Sequence, residues 1–149
     1  MARILTTNFG FITALDNGVG PGTRNARDDV GIVQFALAVL TRGLPGPLGN
    51  AGAKFSVPGQ SPIGIDGGFG PQTAAYIKAY QEFRRASPGP GGGPLPPVSG
   101  TFRGFHASGS WPFSVLDEDA CRASSKRLLA DALAADGQAP LWLKQHFLG

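Results

Sequence analysis

Two glycine- and proline-rich segments divide this chain of 149 residues, and they limit what it can fold into. Residues 43–64 hold six Gly and four Pro, and residues 86–100 hold ten Gly or Pro. Such segments resist regular secondary structure, because glycine is costly to order and proline lacks a backbone donor. The stretches between them are well patterned. We therefore expect one small core that carries long irregular loops.

The patterned stretches carry the apolar spacing of helices. Residues 25–42 are apolar on nearly every face, which predicts a central, buried helix. A second helix is predicted over 71–85, because its opening proline suits the first helical position. A third is predicted over 116–136 with Ser114 as its cap, and a short fourth from Pro140. The predicted fold is mainly α, a small helical bundle with long loops.

An N-terminal arm is predicted over residues 1–24, before a single helical domain at 25–149. Residues 4–7 and 11–15 are β-prone and predict a short hairpin. An isolated hairpin is marginal in water, so the arm is expected to dock on the core or on another chain.

Loop insertions into the helical domain are predicted at 43–64 and 86–115. The end of the second insertion holds four aromatic residues: Phe102, Phe105, Trp111 and Phe113. These side chains either anchor the loop to the core or offer a sugar-stacking surface.

Charge and hydropathy exclude several classes of protein. The net charge of +3 comes from scattered basic residues, whereas nucleic-acid binding favours a dense basic stripe. The apolar N-terminal stretch is interrupted by Thr6, Thr7, Asn8 and Gly10, so no signal peptide is expected. No segment approaches the ~18 apolar residues of a membrane span.

The sequence also lacks the sets of residues that catalysis or metal binding requires. Cys121 is the only cysteine and His106 and His146 are the only histidines, so neither a disulfide nor a zinc site is expected. We interpret the acidic residues at 28–29 and 117–119 as helix-start charges. The prediction is a protein that is not an enzyme and has no cofactor or metal.

The loop before the second helix, GIDGGFGPQT at 64–73, is the densest motif. Its glycines permit positive φ in a tight turn, and Asp66 is predicted to accept backbone N–H groups there. Phe69 is predicted to plug the core, Pro71 to open the helix and Thr73 to help cap it.

Two glutamines stand in otherwise apolar helices. Gln34 and Gln81 need hydrogen-bond partners if they are buried. We expect the loop at 64–73 to supply partners for both and so to tie both helices to it.

These features occur in an order that is similar to that of a known family. The matching residues are Val30, Val33, Gln34 and Leu37 in the first helix, Asp66, Gly67, Phe69, Gly70 and Thr73 in the loop, and Tyr76, Ile77, Tyr80 and Gln81 in the second helix. The chain resembles the peptidoglycan-binding-domain-like family, whose motifs are V-x-x-L-Q-x-x-L, D-G-x-F-G-x-x-T and A-V-x-x-F-Q. The resemblance implies a three-helix core and non-catalytic binding of bacterial cell-wall peptidoglycan.

The chain also departs from the family's pattern. The family's connector before the D-G loop is short, whereas here it spans 43–64. The family often repeats a D-G-x-x-G-x-x-T-like motif before its third helix. At that place this chain reads SVLDEDACRASSKRLL, without those glycines.

Two functions are predicted. The first is peptidoglycan binding in a shallow groove near the second helix, lined by Asp66, Gly67, Tyr76 and Tyr80. The second is a structural or adaptor subunit, as in a phage virion or a contractile injection apparatus, which binds partners through the arm and loops. Either function places the protein at a cell envelope, outside the cell or in a virion.

Overall fold

The computed structural model describes residues 3–7, 10–42, 55, 57–86 and 95–149. Within them the fold is mainly α, as predicted. The helices are α1 Arg27–Thr41, α2 Pro71–Ala86, α3 Phe113–Ser124, α4 Leu129–Ala135 and α5 Leu141–Leu148, and the strands are β1 Arg3–Thr7, β2 Gly10–Ala14, β3 Phe102–Arg103 and β4 Trp111–Pro112. Most of the predicted loop at 43–64 and part of that at 86–115, namely 43–54, 56 and 87–94, lie outside the described residues. No helix in the described part of the chain is long and apolar enough to cross a membrane.

Helix α1 is the centre of the core. Every residue from Asp29 to Leu40 is buried, which confirms the prediction from its all-round apolar pattern. Helices α2, α3 and α5 pack around it. A side chain of α1 therefore reaches several other elements.

The predicted third helix is two helices in the structure, so that prediction is wrong. Ser125 adopts the left-handed conformation (φ 56°, ψ 34°) and ends α3. The Ser124 hydroxyl donates to the Ala120 carbonyl at 2.8 Å, a local bond that competes with helix continuation. The Lys126 N–H donates back to the Cys121 carbonyl at 3.0 Å, which closes the helix end.

The start of α3 also differs from the prediction. Ser114 is not the cap, because the helix begins at Phe113 after Pro112 and no side chain caps it. Asp117 and Asp119 are buried rather than exposed at a helix start. The pKa of each is raised by burial.

Each buried carboxylate of α3 holds a distant element. Asp117 accepts the Thr13 N–H at 3.0 Å, which joins α3 to the hairpin. Asp119 accepts the Tyr80 hydroxyl at 2.5 Å and pairs with Arg84 at 3.0 Å, which joins α3 to α2. Long-range contacts of this kind cannot be read from local helix signals.

The N-terminal region forms the predicted hairpin and docks on the core. Strands β1 and β2 pair antiparallel, from Arg3 opposite Ala14 to Thr7 opposite Gly10. The following turn buries Leu15 and Val19. Val19 exchanges two backbone hydrogen bonds of 2.9 Å with Phe102.

The aromatic residues of the second insertion mostly anchor it. Phe102, Trp111 and Phe113 are buried. The Tyr80 ring lies tilted against Phe102 and edge-on to Trp111, with ring centres 6.1 and 6.5 Å apart. Phe105 is 42% exposed.

Candidate functional site

Gln34 of α1 holds the turn that contains Asp66. Its Nε2 lies 2.9 Å from Asp66 Oδ1, 3.0 Å from the Gly68 carbonyl and 3.0 Å from Thr73 Oγ1. Its Oε1 accepts the Gly67 N–H at 2.9 Å. One buried amide thus ties α1 to the turn and to the start of α2, which confirms the expected partner of Gln34.

The turn itself has the predicted Asx geometry. Asp66 Oδ1 accepts the Gly68 N–H at 2.9 Å, and Gly67 has a φ of +77°. The hydrogen bonds from Gln34 and from Gly68 lower the pKa of Asp66, so this exposed carboxylate is ionised at neutral pH.

The rest of the motif opens α2. Pro71 is the first helical residue, and the Ala74 N–H donates to the Gly70 carbonyl at 2.9 Å. Phe69 is partly buried and packs against the core. The buried Thr73 hydroxyl receives its bond from Gln34 rather than capping the helix as predicted.

Gly67 is enclosed by two other elements. A Cβ at this position would lie 2.5 Å from Arg27 Cγ, 3.1 Å from the Arg27 carbonyl oxygen and 3.1 Å from Trp142. The Arg27 guanidinium carbon lies 4.2 Å from the centre of the Trp142 ring. The Trp142 ring also fills the space beside Gly31, where a Cβ would lie 2.5 Å from it. The first turn of α1 and the start of α5 therefore cover Gly67.

The two tyrosines predicted to line a groove are buried instead. Tyr80 is fully buried and donates to Asp119, and burial raises its pKa well above the usual value. Tyr76 is 3% exposed and donates to the Ser61 carbonyl at 2.7 Å. Neither ring offers a face beside Asp66, so this part of the predicted site is wrong. Both rings pack close to Phe55, which supplies the physical reason.

Gln81 of α2 holds a different turn from the one predicted. Its Oε1 accepts the N–H groups of Ser99 and Gly100 at 3.0 and 2.8 Å. Its Nε2 donates to the Thr101 carbonyl at 2.9 Å. The expectation that both glutamines bind the loop at 64–73 is therefore wrong for Gln81.

The turns held by Gln34 and Gln81 are built alike. Gly100 has a φ of +75°, and Ser99 Oγ accepts the Thr101 N–H at 3.3 Å, as Asp66 accepts that of Gly68. We call residues 66–68 the Asp66 turn and residues 99–101 the Ser99 turn. Ser-Gly-Thr-Phe at 99–102 repeats Asp-Gly-Gly-Phe at 66–69, the signal that the sequence reasoning missed. It was missed because residues 103–112 separate the Ser99 turn from α3.

Three side chains lie at the Asp66 turn. They are the ionised carboxylate of Asp66, the exposed arginine Arg27 and the ring of Trp142. Within the described residues, no three or more His, Cys, Asp or Glu side chains are grouped to hold a metal ion.

Comparison of the chain with protein-family models, with curated proteins and with solved structures found no match.

Proposed function

We propose that this protein is a non-catalytic module that binds bacterial cell-wall peptidoglycan through the face around Asp66. In this proposal α1, α2 and α3 form the three-helix core that the resemblance implies. The observation that carries it is the Gln34 bond network, since Gln34, Asp66, Gly67 and Thr73 are motif residues of the family and meet at one place.

A second turn on the same plan supports this proposal. The family often repeats its glycine motif before the third helix, and the Ser99 turn lies before α3 with a glutamine of α2 as its anchor. In this chain α1 holds one glycine turn through Gln34, and α2 holds another through Gln81. This pair of turns matches the repeated motif of the family.

The exposed groups at the Asp66 turn match the chemistry of a glycan polymer. Asp66 is an acceptor for sugar hydroxyls, and the partly exposed Trp142 ring lies 3.1 Å from the position of a Cβ on Gly67. We expect one exposed carboxylate beside one partly exposed ring to bind a single sugar weakly. When several linked copies of the module bind many sites on one insoluble polymer, multivalency raises the fraction of the protein that is bound.

Co-sedimentation with purified peptidoglycan sacculi tests the proposal. We expect the wild-type protein in the pellet and a lower bound fraction for Asp66→Ala. Glu82→Ala removes an exposed carboxylate from α2 away from the turn and serves as the matched control, with binding unchanged. Wild-type protein that stays in the supernatant at every concentration tested would contradict peptidoglycan binding.

The exposed apolar residues favour a second candidate, a structural or adaptor subunit of an assembly. Leu141 and Leu148 of α5 are 67% and 45% exposed, and large exposed apolar side chains are common at protein contacts. Light scattering after size-exclusion chromatography measures the mass. A concentration-dependent oligomer that Leu141→Ser and Leu148→Ser dissociate is the expected result, and a monomer at all concentrations would count against self-assembly.

A further inference from the structure

Arg27 and Trp142 form a fixed cationic surface beside the Asp66 turn. The guanidinium of Arg27 is held over the indole at 4.2 Å, and its methylene chain covers Gly67. Stacking on a ring limits the positions that the guanidinium adopts, while Arg27 as a residue remains exposed.

Arg27 takes no part in the ion pairs that the described residues form. Asp28, its neighbour in α1, lies 3.2 Å from His146 Nε2. Asp66 Oδ1 already accepts hydrogen bonds from Gln34 Nε2 of α1 and from the Gly68 N–H of its own turn. The donors of Arg27 are thus available to an anionic group from outside the chain.

We propose that Arg27 and Trp142 form a subsite for an acidic sugar, with the sugar carboxylate on the guanidinium and an apolar sugar edge on the indole. This inference rests on the proposed peptidoglycan binding and names the recognised sugar as a muramic acid residue without its peptide, because attachment of the peptide converts the lactyl carboxylate into an amide. Guanidinium and carboxylate pair through two parallel hydrogen bonds, a geometry that lysine does not supply. Asp66 then accepts hydroxyl groups of the same or the adjoining sugar.

The two tryptophans allow a direct test on the full chain. In ¹⁵N-labelled protein the indole N–H signal of Trp142 reports the subsite. The signal of Trp111 is the internal control, because that ring is buried and its Nε1 donates to the Pro97 carbonyl at 3.0 Å. The probes are N-acetylmuramic acid and N-acetylglucosamine, which differ by one lactyl ether group that carries the carboxylate.

We expect the Trp142 signal to shift with both sugars and to saturate at a lower concentration of the acid, by up to about fivefold for one exposed ion pair. Arg27→Gln should abolish this preference while retaining weak binding of the neutral sugar. Arg85→Gln changes an exposed arginine in the last turn of α2 and should leave the preference unchanged.

The outcomes separate this inference from the proposed function. If sacculi pellet the protein but the two sugars bind equally, or if Arg27→Gln keeps the preference, the acidic-sugar subsite is wrong and peptidoglycan binding stands. If the Trp142 signal shifts with neither sugar, or only the Trp111 signal shifts, the subsite is also wrong. If sacculi do not pellet the protein, peptidoglycan binding itself fails, whatever the sugars do.

Discussion

The Asp66 turn and the Ser99 turn share a plan but differ in chemistry and surroundings. In each, a buried glutamine accepts the N–H of a glycine with φ near +75° and donates to the carbonyl of the next residue. The Asp66 turn adds an ionised carboxylate, whereas the Ser99 turn has a neutral hydroxyl in that place.

The packing against the two glycines differs as well. A Cβ on Gly67 would collide with the Arg27 side chain and approach its backbone oxygen, whereas a Cβ on Gly100 would meet only the flexible Lys78 side chain at 3.1 Å. The shared plan therefore explains how loops are fixed to helices. The charge of Asp66 and the enclosure of Gly67 distinguish the Asp66 turn, which we propose to bind a ligand, from the Ser99 turn.

The largest expected effect comes from removing either glutamine. Gln34→Ala and Gln81→Ala should each lower the free energy of unfolding by about 2–4 kcal/mol, because each leaves several buried or partly buried backbone groups without a partner. Urea denaturation followed by circular dichroism measures this change. Gln145→Ala, at an exposed position of α5, is the matched control with an expected change below about 0.5 kcal/mol. A glutamine variant that behaves like this control would show that its turn does not depend on the side chain.

A smaller effect separates the two glycines. Gly67→Ala should cost about 2–3 kcal/mol and Gly100→Ala about 1 kcal/mol, because both strain a positive φ but only the first also displaces Arg27. Since the two φ angles are nearly equal, the difference in free energy of unfolding reports the enclosure of Gly67. Equal costs in the same urea experiment would mean that the Asp66 turn is no more enclosed than the Ser99 turn.

The smallest effect concerns pH. The pKa of Asp66 is lowered in the folded chain, so its contribution to stability is complete above the unfolded value of about 3.9. That contribution is lost as the pH falls through the lower folded pKa. Asp29, Asp117 and Asp119 have raised pKa values and act in the opposite direction, so a residue-level measurement is needed.

The amide signals of Gly68 and Thr101 supply that residue-level measurement. The Gly68 signal should move in an acid titration with a midpoint below about 3.9, and Asp66→Asn should remove the movement. The Thr101 signal should show no such step, because Ser99 does not titrate. A Gly68 midpoint above 3.9 would contradict the bonding assigned to Asp66.

The parts of the fold that were predictable depend on neighbours in sequence. The burial of α1 follows from its apolar pattern, and the Asp66 turn follows from glycine, aspartate and proline chemistry over a few residues. The end of α3 at Ser125 depends on one left-handed residue that periodicity does not reveal.

The errors at the candidate site have a common cause. Local patterns predict a groove position for Tyr80 and a helix start for Asp119, because they do not reveal a contact that spans 39 residues. The partner of Gln81 was missed because the Ser99 turn carries serine in place of aspartate and is followed by an insertion. No sequence pattern links Arg27 to Trp142, since only the fold brings α5 to the start of α1.

The most direct test of the account follows backbone amide signals of the ¹⁵N-labelled full chain during titration with soluble peptidoglycan strands. The account predicts that signals of residues 66–68 shift progressively and saturate, while those of residues 99–101 stay in place. Shifts confined to the Ser99 turn, or no shift at the Asp66 turn, would contradict the claim that charge and enclosure make the Asp66 turn the binding site.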